Sequence, residues 1–164
     1  MINSFLIIKG LPGTSTIDPK GATIAGTKAI EIHSFSWGVH NGAASAKASG
    51  ESRAGRPDFA ELSIMKNVDP TSSKLMEKCL TCVPFTEAEL GFMKQINDTN
   101  ECYFHIHLKQ VYITSMQVSG GSENPQESVS IAYEEIEFAY KPEKPDKKGL
   151  DGWVGTKWNV KSNK

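Results

Sequence analysis

Apolar and polar residues alternate along most of this chain, and alternation at period two marks strands with one buried face. Phe5 to Lys9 reads as the first strand, stopped by the turn residues Gly10, Pro12 and Gly13. Residues 14–28, rich in Thr, Gly and Pro, read as loop. Ala29 to Val39 is a second strand. Its apolar parity shifts from Ile30 and Ile32 to Phe35, Trp37 and Val39, which predicts a bulge or burial on both faces. Phe59 to Asn67 is a third, with Ala60, Leu62 and Ile64 on one face. A long strand follows in ECYFHIHLKQVYI, with Cys102, Phe104, Ile106 and Leu108 on one face. Glu127 to Tyr140 alternates again, presenting Val129, Ile131 and Tyr133, and Gly152 to Lys161 reads as a last strand carrying Trp153 and Trp158.

The period changes once. In NVDPTSSKLMEKCL, Asp69 can cap, Pro70 suits the first helical position, and Leu75, Met76, Cys79 and Leu80 form a stripe at helical spacing. This predicts a helix over about 70–81, which Pro84 ends. Residues 85–95 carry both signals. Thr86 and Glu89 mimic a capping box, whereas Ala88, Leu90 and Phe92 alternate, and the alternation favours a strand. The NDTN that follows suits a hairpin turn. Residues 118–124 and 141–149 read as a Gly/Ser loop and a polar tip. The sum is seven or eight strands and one helix in a single domain spanning residues 1–164. The class is mainly β: a compact β-barrel of two packed sheets with one α-helix.

One stretch fits no element. NGAASAKASGESRAGR, residues 41–56, contains five Ala, three Gly and three Ser and lacks Val, Ile, Leu and aromatic residues. Loops longer than about 12–15 residues are uncommon in compact domains unless they serve a function or are disordered.

Composition narrows the function classes. The chain has 164 residues with 18 basic and 19 acidic side chains, a net charge of −1. Affinity for nucleic acid comes largely from a basic surface, so no nucleic-acid partner is expected. Three Cys without framework spacing point to a reducing compartment, the cytoplasm. The N-terminus lacks a basic n-region and a small-residue cleavage site, and no apolar run reaches a membrane span, so neither a signal peptide nor a membrane partner is expected.

The sharpest chemical candidate is a metal site. Cys79 and Cys82 form C-x2-C, and Cys102 and His105 form C-x2-H, which together could close a structural zinc site. Residues three apart on a strand point to opposite faces, so Cys102 and His105 are not expected to converge, and no metal or other cofactor is expected. His105 and His107 share a strand face with Tyr103 and Lys109, which reads as the polar side of a half-buried strand. Glu134, Glu135 and Glu137 read as a solvated or interfacial face. The sequence contains no nucleophile elbow, no phosphate loop and no promising carboxylate pair, so no catalytic residue is assigned. A barrel holding a small ligand and a zinc-stabilised Cys/His domain remain as alternative readings.

Segments in order along the whole chain resemble the hemolysin-coregulated protein (Hcp) family of type VI secretion systems. FLIIKGLPGTST resembles the family's opening strand and glycine turn, and AIEIHSFSWGV its strand ending in an S-W-G-like motif. DFAELSIMKNVDPTSSKLM resembles the strand leading into its helix, and ITSMQVSGGSENPQESVSIAYEEIEFAYKP its paired strands around a Gly-rich turn. GWVGTKWNVKSNK matches the Gly-Trp-rich tail only loosely, and the three cysteines are no part of the family pattern. The resemblance implies a barrel assembled as a homohexameric ring. Rings stack into a tube that a contractile sheath drives out with a spike protein, and effector proteins travel in the lumen. The protein would then be cytoplasmic before firing and secreted afterwards without a signal peptide. The resemblance also implies a structural protein with no enzymatic activity and no toxin domain after residue 164. It places the arm between stacked rings, with Ala43, Ala44, Ser45, Lys47, Ser49, Glu51, Arg53 and Arg56 as contacts, and Ser34, Ser36 and Trp37 as a strand end that touches partners. Small side chains suit such a contact because backbones approach closely and little side-chain entropy is lost.

Overall fold

A computed structural model describes residues 3–42, 56–121 and 123–164. Ten strands and one helix lie among them. In chain order they are β1 (Ser4–Ile8), β2 (Ile30–Glu31), β3 (Ser34–Ser36), β4 (Val39–His40), β5 (Asp58–Phe59), β6 (Leu62–Asn67), α1 (Ser72–Thr81), β7 (Phe85–Ile96), β8 (Thr99–Ser119), β9 (Gln126–Tyr140) and β10 (Val154–Asn159). Eight strands form one antiparallel sheet in the order β2-β1-β7-β8-β9-β6-β3, and β10 pairs with β9 beside β6. β4 and β5 make a separate hairpin.

The sheet curls onto itself, because the strands at its two ends are separated by only two residues. β2 lies against β1, β3 lies against β6, and Ile32 and His33 join them. That is the origin of the parity shift in IEIHSFSWGV: one apparent strand is shared between two edges. Ser4 Oγ donates to Ile32 O at 3.1 Å, and His33 N donates to Met65 O at 2.7 Å, which closes the barrel on both sides of the junction. The expected barrel walls are therefore parts of one bent sheet.

Three local irregularities on β8 decide which side chains face inward, the last being Thr114, an extra residue between the pairs Ile113–Ile131 and Ser115–Ser130. Phe92 pairs with Phe104 but Met93 pairs with Cys102, so Tyr103 is an extra residue on β8. Phe104, Ile106 and Leu108 face the main core with Leu6, Ile64, Leu90 and Ile131, as expected. Cys102 does not, because the bulge turns it to the other face, against Phe5, Ile7 and Met93. Gly91 makes that turn possible, since a Cβ there would sit 2.5 Å from Phe5 Cζ and 3.1 Å from Cys102 Sγ. The second irregularity is Gln110, left-handed at φ 52°. It resets the phase, so Val111 and Ile113 face inward after Ile106 and Leu108. The β7–β8 turn also works as the sequence suggests, with Asn97 and Asp98 at φ 46° and 62°, the geometry a tight hairpin requires.

α1 begins two residues later than expected. Asp69 accepts from Thr71 N at 2.8 Å and from Thr71 Oγ1, forming an Asx turn ahead of the helix. Only half of the predicted stripe is buried. Leu75 is 1% exposed and Cys79 packs on the core, but Met76 and Leu80 are 55% and 73% exposed.

Candidate functional site

Beyond Gln110 the outer face of the sheet is rich in small hydroxyl side chains. Ser36 pairs with Ser63, Ser63 with Ser130, and Ser130 with Ser115, so one row of serines crosses β3, β6, β9 and β8. The next row reads Ser34, Met65, Ser128 and Gln117. The cause is local. Leu62, Ile64, Val129 and Ile131 face the core at 1% exposure or less, so their strand neighbours must point outward. The outer positions are filled without a charge in either row. Ser34 and Ser36, two of the residues singled out in the sequence, therefore belong to a wide patch and not to a strand end alone.

Trp37 turns inward at the rim of this face. Its Nε1 donates to Tyr133 Oη at 2.6 Å, Tyr133 Oη donates to Ala60 O at 2.8 Å, and its ring stacks on Phe138 at 5.9 Å. Beside it, Trp37, Val39, Phe59, Phe138 and Trp158 line an open apolar groove of about 460 Å³. Asn41 and Pro57, near the two ends of the arm, complete its wall. Arg56 anchors the arm's far end by donating from Nη2 to Val160 O at 2.8 Å. Ala43, Ala44, Ser45, Lys47, Ser49, Glu51 and Arg53 lie outside the described residues.

Among the described residues the sheet also offers unpaired edges. β7 accompanies β8 only as far as Val111, and residues 112–119 pair on one side, with β9. Among the described residues β10 pairs only with β9, and Val154 is 68% exposed. Exposed edges invite pairing with another chain.

The histidine face differs from the expectation. His105 and His107 are 2% and 7% exposed, because residues 14–28 and Trp153 cover that part of the sheet. Tyr103 is bulged away from them. Glu89, absent from the sequence reading as a functional group, is fully buried and lies 2.8 Å from His105 Nδ1. Burial raises the Glu89 carboxyl, but donation from His105, Ile24 N and Thr23 N outweighs it and holds the group below its ordinary 4.5. Glu87 is lowered likewise, its burial outweighed by His107 and Lys9. Glu134, Glu135 and Glu137 are partly exposed and lie near Lys161, Lys109 and Lys157, as a solvated face requires.

Contrary to the expectation from strand spacing, the Tyr103 bulge puts Cys102 and His105 on one face. The chemistry is nonetheless unfavourable. Burial pushes the Cys102 thiol up to about 12, and its Sγ donates to Phe104 O at 3.4 Å. Cys79 packs against the other cluster, and Cys82 is exposed at the end of α1. Among the described residues, no group of three or more His, Cys, Asp or Glu is placed to hold a metal.

Residues 5–140 match the sequence profile of the family described as type VI secretion system effector, Hcp. The chain belongs to the Hcp family. It is 29% identical over 105 residues to protein hcp1 of Pseudomonas aeruginosa, across 63% of this chain. The match spans 65% of that relative's length. A solved structure of a type six secretion system protein covers all of this chain and 99% of its own, at 26% identity and TM-score 0.82. Hcp1 of Salmonella typhimurium shares the fold at 19% identity and TM-score 0.75, over 99% of this chain and 97% of its own. Hcp membership places the protein in type VI secretion, and no helix of the described residues is long and apolar enough to cross a membrane.

Proposed function

We propose that this Hcp protein is a structural tube subunit, with no enzymatic role, whose copies close into hexameric rings. Stacking of rings through the 41–56 arm gives the tube, and the serine face forms the wall of its channel. The serine row carries this reading. Small hydroxyls across four adjacent strands offer no charge to pair and no large apolar patch to bind, so a polypeptide passing over them is held weakly. Such a wall suits a conduit for effectors better than a docking site for one ligand.

The open edges of β8 and β10 and the apolar groove at Trp37 support assembly. The chain exposes 9761 Å². Two ring neighbours burying about 800 Å² each would cover roughly a sixth of it. A heterologous contact that closes by rotation makes a ring, and an axial contact that does not close makes a filament. The alternative of a ligand-holding barrel is disfavoured by its filled interior. Leu6, Leu62, Ile64, Leu90, Ile106 and Leu108 occupy it at 1% exposure or less.

Native mass spectrometry tests the ring. A metal-free hexamer of the 17.9 kDa chain supports it, and a monomer carrying zinc overturns it. Deleting residues 43–54 should leave rings intact and abolish tubes and secretion; tubes from that variant would take the arm out of stacking. Ser63→Trp should leave rings and tubes intact and reduce effector export, whereas unchanged export would remove the serine face from the channel.

A further inference from the structure

Glu89 gathers three donors beneath the surface. Thr23 N donates to its two carboxylate oxygens at 3.0 and 2.8 Å, Ile24 N at 2.9 Å, and His105 Nδ1 at 2.8 Å. The His105 ring stacks on Trp153 with centroids 4.1 Å apart and planes 15° from parallel. Lys141 Nζ sits 4.5 Å from the Trp153 ring centroid. His105 Nε2 is buried with no hydrogen-bond partner among the described residues. Residues 14–28 thus meet β7 at Glu89, residues 141–153 meet β8 at the His105 ring, and the Glu89–His105 hydrogen bond links the two contacts.

We propose that Glu89, His105 and Trp153 form a proton-linked clasp that fastens these two segments to the sheet. The clasp is independent of the tube reading. Three donors keep Glu89 ionised, so with neutral His105 the buried site carries an uncompensated negative charge. A proton taken up at Nε2 neutralises that charge instead of creating a new one. Because Nε2 has no partner among the described residues, the proton acts through charge alone. It turns the Glu89 contact into a charge-assisted hydrogen bond and places a cation on the indole face.

The other groups around His105 do not reverse this. On β7, Gly91 lies directly opposite and is uncharged, and on β9 Ala139 does the same. Glu137 pairs with His107, whose ring is 6.2 Å away and whose Nε2 meets Glu87 at 3.2 Å. Cys102 stays a neutral thiol, and Thr23 Oγ1 lies 3.4 Å from His105 Nδ1. Lys141 opposes the proton but lies against the Trp153 ring, whereas Glu89 is in direct contact with His105. The clasp is therefore tighter with His105 protonated than with it neutral.

Hydrogen exchange at the Thr23 and Ile24 amides reads the clasp directly, and Trp153 emission reads the stack. Protection in the wild-type protein should be about fivefold to tenfold higher near pH 5.5 than near pH 8. Trp153 emission should be quenched over the same range by the imidazolium. His105→Gln, which keeps a donor for Glu89 but cannot titrate, should flatten both, and His107→Gln should preserve both. Should His105→Gln not fold, the His105 ring resonance in the wild-type protein must titrate together with the Thr23 and Ile24 protection. Equal protection at both pH values, or a pH dependence lost in His107→Gln and kept in His105→Gln, overturns the clasp.

Discussion

Lys66→Met should be among the costliest single changes in this protein. Lys66 and Glu127 are paired across β6 and β9 and point inward with fully buried side chains, 2.5 Å apart. Lys66 also reaches Asp69 Oδ1 at 2.9 Å and Asn67 O at 3.0 Å, and Ser72 Oγ donates to Glu127 Oε1 at 2.9 Å. The network ties the start of α1 to the sheet. Removing the ammonium leaves a buried carboxylate whose Oε2 already lacks a partner. Stripping one partner from a buried ion pair costs about 3–5 kcal/mol, whereas replacing both by apolar groups of similar size is often neutral. Lys66→Met and Glu127→Leu should therefore each cost about 4 kcal/mol, and the double variant should return to within about 1 kcal/mol of the wild type. For a chain of this length that single-variant loss lowers Tm by about 10 °C. Urea unfolding followed by circular dichroism measures the cycle, at one protomer concentration because assembly adds to apparent stability. A double variant that costs the sum of the two singles would refute the coupling and leave packing alone as the role of both side chains.

Other expectations follow from the same contacts. In the native protein iodoacetamide should modify exposed Cys82 and leave Cys102 intact, since burial holds that thiol neutral to about pH 12; mass spectrometry of the peptides checks both. Gly91→Ala should cost about 1–3 kcal/mol by thermal melting, because its Cβ would press on Phe5 and Cys102. The lowered Glu89 carboxyl contributes stability that is present above pH 4.5 and lost as pH falls below it. Glu89→Gln should therefore be less stable than the wild type at neutral pH and lose less on acidification, and acid titrations of the two by circular dichroism show whether it does.

Much of the fold was legible because strands with one buried face leave a period-two record. That record located β1, β6, β7, β8, β9 and β10 and even the Asn97-Asp98 turn. It failed where geometry broke the period. The Tyr103 bulge turned Cys102 to the opposite face, and no residue type marks a bulge in advance. Met76 and Leu80 satisfied a helical stripe but stand exposed, because helical spacing says which residues share a face and not how much of that face is covered. Nothing in the sequence marks Lys66, Glu89 and Glu127 as buried, since burial of a charge depends on partners from distant strands that only the tertiary fold supplies.

The serine face had a sequence signal that went only half used. Ser34 and Ser36 stood out, yet Ser63 in ELSIM and Ser128 and Ser130 in ESVSIA occupy the same outward positions of alternating strands. One polar residue at such a position is ordinary, and what distinguishes these is the register that sets Ser36, Ser63, Ser130 and Ser115 side by side. Register is fixed by the buried partners, with Phe35 against Ile64 and Ile64 against Val129, so the hydrophobic core aligns the hydroxyls on the far side of the sheet. A shift of one residue in any of these strands would turn serine inward and Ile or Val outward. The stability of the core and the chemistry of the proposed channel wall are thus set by one pairing, and a variant that weakens the inner pairs, such as Ile64→Ser, should disturb both together.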